Sequence, residues 1–240
     1  MRSPWLLLLA VASCHRAPAA PRIEGRASAD VHADAAPRLT WNEQDVYNQF
    51  DAPRLPAVSA SGAAILLGIR DMDGNRGNAN YRFEIRNRRD AKIAGYTVLS
   101  IEEGGTIFEP DGGTRELERR IAVANHWLEE QHGVKRFAPL TKITPVDQLA
   151  FRATGGGITV DWVPSRLKIA HAGKTLLERT TPATWLVKGE PMMAGISCPV
   201  LARLADASVS LAHKVALLEI SYYGTNQCWP TNSQHHVVTW

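Results

Sequence analysis

The chain has 240 residues, 45% of them hydrophobic and 21% charged, with a formal net charge of +3. That is ordinary for a globular protein and leaves enough chain for one domain with a real core. A charge excess this small gives no electrostatic case for a nucleic-acid or strongly anionic partner.

The first fourteen residues read MRSPWLLLLAVASC. One positive charge at Arg2 precedes an apolar run from Trp5 to Ala12, then a small residue and Cys14. The run is far short of the roughly twenty residues that a helix needs to cross a bilayer. It suits the hydrophobic region of an export signal. Val11-Ala12-Ser13-Cys14 resembles the lipobox of bacterial lipoproteins. The resemblance implies that the Cys14 thiol receives diacylglycerol, that the chain is cut just before it, and that the new amino group is acylated. Two or more acyl chains anchor firmly where one does not. In that family an Asp after the cysteine retains the protein at the inner membrane; here His15 follows, which implies the outer membrane. The alternative is plain secretion, with cleavage at Ala17-Pro18-Ala19 or Ala20 and loss of Cys14. Residues 15–40 are rich in Ala, Pro, Arg, Asp and Ser and cannot bury enough surface to offset their ordering entropy. The expected organisation is a signal peptide at 1–13, a lipidated Cys14 and flexible tether at 14–40, and a single β-rich domain at 41–240.

Within the domain, Ala63–Ile69 is a nearly continuous apolar run, as for a strand buried on both faces. Asp71–Asn80 reads as a loop. Tyr81–Arg86 alternates, with Tyr81, Phe83 and Ile85 on one face and Arg82, Glu84 and Arg86 on the other. Tyr96–Ile101 reads as another strand. A helix is expected over Arg115–His132, where Leu117, Ile121, Ala124 and Leu128 form one stripe. Asp111 or Thr114 would cap its start and Gly133 end it. Strands resume at Gln148–Ala153, Ile158–Val163, Leu167–His171 and Thr175–Thr180, with Gly173 turning the last pair. A short helix is expected after Pro199, then strands at Lys214–Tyr223 and His236–Trp240. The apolar run at 65–69, a polar loop and a strand echo the arrangement from Ala216 to Trp240, each reading as a long-loop hairpin. The fold class is α+β, mainly antiparallel β, as a sandwich or degenerate propeller-like hairpins, with one long packed amphipathic helix.

If Cys14 is consumed by lipid, Cys198 and Cys228 remain, and two cysteines in an oxidising compartment usually pair. The rival reading leaves Cys198 free before Pro199, at a helix N-terminus that lowers its pKa.

Candidate chemistry is sparse. Asp71, Asp73 and Asn75 alternate as in calcium loops, but Arg76 stands at the sharp-turn glycine and Arg82 where a bidentate Glu belongs. His126, Glu129, Glu130 and His132 cluster on the helix without a zinc-protease spacing. His235 and His236 are strand neighbours and point to opposite faces. Gly195-Ile-Ser197-Cys-Pro199 ends in proline where a nucleophile elbow needs glycine. Ser165-x-x-Lys168 has no partner motifs, Gly173-Lys174-Thr175 lacks the first P-loop glycine, and Gly155–Gly157 lacks a dinucleotide fingerprint. Arg70, Arg76, Arg82, Arg86, Arg88, Arg89 and Lys92 make a basic stretch. It reads as a face for an anionic polymer or as a solvated face balanced by Asp71, Asp73, Glu84 and Asp90. No catalytic residue, metal or cofactor is expected.

The segment from Tyr222 to Val238, with Gly224-Thr-Asn226-Gln-Cys228-Trp229 and Gln234-His-His236-Val-Val, resembles the tail of uncharacterised bacterial lipoproteins. These carry Asp where Asn226 stands, and the resemblance implies no activity. A ligand cleft lined by Tyr222, Tyr223 and Trp229 is one reading; aromatic core beside a disulfide is the other. The first functional expectation is a lipid-anchored, non-catalytic binding or scaffolding module of the cell envelope. Its partners would be the membrane and an envelope polymer or protein, with no nucleic acid. The second is an envelope-polymer hydrolase whose site assembles from Asp161, His171, Glu219 and His236.

Overall fold

Alternating apolar and polar side chains, broken by glycine and asparagine turns, build two large antiparallel sheets with one long helix laid against the smaller. A computed structural model describes residues 35–42, 50–71, 78–107, 113–146, 151–199, 202–222, 224–225, 227–229 and 231–240. Cys14, most of the Asp71–Asn80 loop, Asp111, Tyr223 and Asn226 lie outside those residues. In chain order the elements are β1 (Thr40–Trp41), β2 (Phe50–Asp51), β3 (Ala57–Ser59), β4 (Ala64–Ile69), β5 (Tyr81–Asn87), β6 (Lys92–Leu99), α1 (Ile101–Gly104), α2 (Gly113–Lys135), β7 (Phe137–Pro139), β8 (Thr141–Pro145), β9 (Arg152–Gly155), β10 (Ile158–Val163), β11 (Arg166–His171), β12 (Lys174–Thr180), a 3-10 turn at Ala183–Trp185, β13 (Glu190–Pro191), β14 (Ala202–Ser210), β15 (Val215–Tyr222), β16 (Cys228–Trp229) and β17 (Gln234–Thr239).

The five-stranded sheet runs β6-β5-β4-β3-β7 and the eight-stranded one β12-β11-β10-β9-β8-β14-β15-β17, while β1-β2 and β13-β16 form two-stranded sheets of their own. The larger sheet curls into a half-barrel. Strand alternation sorts the core into three layers. Leu66, Phe83 and Ile85 pack with Ala124 and Leu128 of α2. Ile65, Leu67 and Ile69 face the other way and meet Val215, Leu217 and Val237, so β4 is buried on both faces. Ala216, Leu218 and Ile220 point into the half-barrel, against Trp162, Ile169 and Trp185. The stripe Leu117, Ala124 and Leu128 is buried as the helical period requires. Trp127 stacks on Phe83 and Tyr96. The packed core also takes in Leu39, whose backbone N–H and C=O are both held by the Asn125 side chain.

The two echoed hairpins are present: β4 pairs with β5 and β15 with β17, each pair antiparallel across a long connection. Ala172 and Gly173 both take positive φ in the β11–β12 turn, as a two-residue hairpin turn demands. Several boundaries differ from expectation. Thr114 is not a cap, because α2 already starts at Gly113. The helix runs through Gly133 and ends where Arg136 adopts φ +51° and bonds back to His132 O. His132 Nδ1 then accepts the N–H of Phe137. Ile101 opens α1 rather than ending a strand, because Ser100 and Glu103 form a reciprocal capping box. From Ala202 the chain is strand, not helix: Ala202, Leu204, Ala207 and Val209 turn into the half-barrel core while the backbone pairs with β8 and β15.

Candidate functional site

Where β3 ends, the edge of β4 from Leu67 onward loses its partner, because Ala57 pairs with Leu66 and nothing precedes it in the ladder. A cleft of about 220 Å³ opens there between the segment Phe50–Pro56, the β4 edge and the face of β14, β15 and β17. One wall is apolar, from Phe50, Leu55, Pro56, Leu67 and Leu217. Asp51, Tyr81, Asp206, Ser208, Glu219 and His235 supply its polar groups.

Each polar group arrives for a local reason. Tyr81 is packed between Phe50 and Phe83. A Cβ on Gly68 would lie 1.9 Å from the Tyr81 Oη, so only glycine lets the hydroxyl cross β4 into the cleft. That hydroxyl makes no hydrogen bond among the described residues, and burial together with Asp51 pushes its pKa up. Asp206 follows a register shift in β14 that sets it opposite Glu219; bulges commonly re-aim a side chain in this way. Lys142 Nζ holds Asp206 at 2.8 Å. His235 lies opposite Glu219 on β17, with Nε2 3.7 Å from Oε2, too long for a hydrogen bond. Burial keeps the His235 pKa below its ordinary value, against the pull of Glu219. Asp51 makes no ion pair among the described residues, so three carboxylates line the cleft with Lys142 on Asp206 and the His235 ring near Glu219.

The opposite side of His235 borders a wider recess of about 380 Å³ with Arg82, Arg86, Asp90 and His236. Its charges are internally matched. Glu84 is bound by Arg82 Nε at 3.2 Å, Arg86 Nη2 at 2.9 Å and Lys92 Nζ at 3.5 Å. Burial raises its pKa, but Arg86 and then Arg82 outweigh that and leave it below the ordinary value. Asp90 behaves alike, with burial overcome first by the hydrogen bonds of His236 and Val237 N–H. Arg82 also pairs with Asp71. The basic stretch is in this respect a balanced face.

The four dispersed acid–base candidates do not assemble. Asp161 pairs with Arg152, and His171 closes the β11–β12 hairpin opposite Lys174. Glu219 and His236 sit on adjacent strands but on opposite faces: His235 faces Glu219 across the pair, whereas His236 stacks on Trp185 and binds Asp90. His235 is the residue this grouping missed; the Glu219–His235 contact exists only once β15 and β17 pair. His126 is exposed and pairs with Glu130. No group of three metal-ligating side chains occurs among the described residues. Tyr222 is core, donating to Trp185 O at 2.7 Å, whereas Trp229 is exposed, so these two do not line one cleft. Cys198 is bonded to Cys228, which removes the reading of a free nucleophilic thiol.

The chain matches no protein-family model, no curated protein and no solved structure.

Proposed function

We propose that this is an exported, lipid-anchored envelope protein, outer-membrane rather than inner-membrane, whose β-rich domain binds or scaffolds a partner without catalysing its conversion. The observation that carries the reading is the Cys198–Cys228 bond, spanning 30 residues. Disulfides persist in oxidising compartments outside the cytosol. That location agrees with an N-terminal apolar run ending at Cys14 and the lipobox-like Val11–Cys14. No described helix is long and apolar enough to cross a membrane, so attachment would fall to the Cys14 lipid. Binding is favoured over hydrolysis because Asp161 and His236 are already spent on Arg152 and Asp90. The cleft offers carboxylates and a hydroxyl without a partner among the described residues, beside an apolar wall, which suits holding a small group.

Cells expressing the full chain and its Cys14→Ser variant, fed labelled palmitate, test the mooring. The parent should incorporate label and sediment with membranes, and the variant should do neither. Equal behaviour of the two proteins would overturn the anchor.

A further inference from the structure

Resting on that reading of the cleft as a binding site, we infer that its ligand is a small organic cation: a primary ammonium on a short apolar stem, as at the end of a lysine side chain or in a free alkylamine. Three features converge on this chemistry. The first is charge. Asp51, Asp206 and Glu219 line one cleft of about 220 Å³. Lys142 answers Asp206 alone at hydrogen-bonding distance. Arg82 and Arg86 are engaged elsewhere: Arg82 with Asp71 and Glu84, Arg86 with Glu84 and Asp90. Burial holds the His235 pKa below its ordinary value, and its ring lies beyond hydrogen-bond reach of Glu219. Glu219 is therefore an accessible carboxylate at the cleft with no donor of its own among the described residues.

The second feature is an orphan polar group. The Tyr81 hydroxyl enters over Gly68 and is bonded to no described group. Gly68 costs β4 a side chain that would have paired across the strand, which is a loss unless something uses the gap. An ammonium N–H would donate to the Tyr81 oxygen and to a carboxylate together. The third is the wall. Phe50, Leu55, Pro56, Leu67 and Leu217 offer an apolar surface for a stem a few methylenes long, and the Phe50 and Tyr81 rings favour a cation over their faces. A neutral alcohol would leave the carboxylates unanswered, and a carboxylate ligand would be repelled by them.

The test is calorimetric titration of the full-length chain with n-pentylammonium chloride, 1-pentanol and sodium pentanoate. Nα-acetyl-lysine methylamide serves as the protein-borne source of the same group. Pentylammonium should saturate with a millimolar dissociation constant and weaken about fivefold or more in high salt, as expected of a partly exposed ionic contact. Pentanol and pentanoate should not compete with it. Acetyl-lysine methylamide binding as well would identify a lysine side chain as the source, and pentylammonium alone a free amine. Glu219→Gln should weaken pentylammonium about tenfold and Tyr81→Phe about threefold, the scale of losing one charged and one neutral partner. If Glu219→Gln fails to fold, the three-ligand comparison on the parent decides by itself. Pentanol binding as well as pentylammonium would overturn the cation and leave a binding cleft. Failure of all three probes would overturn the cleft as a site too. Neither result touches the palmitate experiment, so a wrong ligand and a wrong mooring are separable.

Discussion

Gly68 sets the shape of the cleft, because any side chain there meets the Tyr81 hydroxyl. An alanine Cβ would stand 1.9 Å from Oη and 2.6 Å from Cζ, so the whole ring must move. Gly68→Ala should therefore cost about 1–3 kcal/mol, the range of overpacked cores. Tyr81→Phe should stay within about 1 kcal/mol of the parent, since the hydroxyl has no partner to lose among the described residues. Urea unfolding separates the two; equal losses would mean that the clash is not with the tyrosine. His235 makes a second, pH-dependent statement. Burial depresses its folded pKa. Below about pH 6.5 the unfolded chain therefore takes up the proton before the folded one does, and stability falls as pH falls. The contribution is fully present above about pH 6.5 and is lost on descending toward the folded value. Glu84 and Asp90, also depressed, lose their contributions lower, below about pH 4. Unfolding curves between about pH 7 and pH 5 should slope upward with pH in the parent and flatten in His235→Gln. The same slope in both proteins would contradict the assignment.

At the scale of elements, the β5–β6 hairpin clasps the exposed edge of the larger sheet. β17 is the last strand, so its outward backbone groups need partners. Arg86 donates to His235 O and Asp90 Oδ1 accepts Val237 N–H at 2.9 Å. The same Asp90 holds His236, and Arg88 donates to His213 O at 2.9 Å in the next turn. Asp90→Ala should cost about 2–3 kcal/mol, because it strands the Val237 N–H and takes the carboxylate from His236, while Arg86 keeps Glu84. Urea midpoints check this; a loss below about 0.5 kcal/mol, as for an ordinary surface change, would show that the clasp is idle. This clasp was not legible in the sequence, since Asp90 and Val237 lie 147 residues apart. Neither was the cleft, for the same reason: Asp51, Tyr81 and Glu219 belong to three strands that only tertiary packing brings together. Local patterns were legible. The alternation of Tyr81–Arg86, the apolar run of β4 and the stripe Leu117–Leu128 each report one face of one element. Errors fell where two local signals competed. The glycine at 133 promised a helix end, but the apolar Phe137 pulls the stop to Arg136, which pays the left-handed conformation. The Ser100-x-x-Glu103 capping box was present in the sequence and hidden behind an apolar Ile101 that looked like strand.

At the scale of the whole molecule, two observations bear on where the protein works. The Cys198–Cys228 bond closes a loop of 30 residues and should stabilise the domain by ~3–4 kcal/mol through loss of unfolded-chain entropy. That stabilisation is available only outside a reducing cytosol. The segment before the domain ends its apolar run at a third cysteine, Cys14. On the proposed reading one sulfur would go to the lipid, while two join in the fold, and location would be tied to stability. The measurement that tests this most directly is the intact mass of the membrane-extracted protein, alkylated before and after reduction. The account predicts a chain beginning at acylated Cys14, with Cys198 and Cys228 taking label only after reduction. A product that still begins at Met1, an unlipidated product, or two thiols that alkylate without reduction would contradict it.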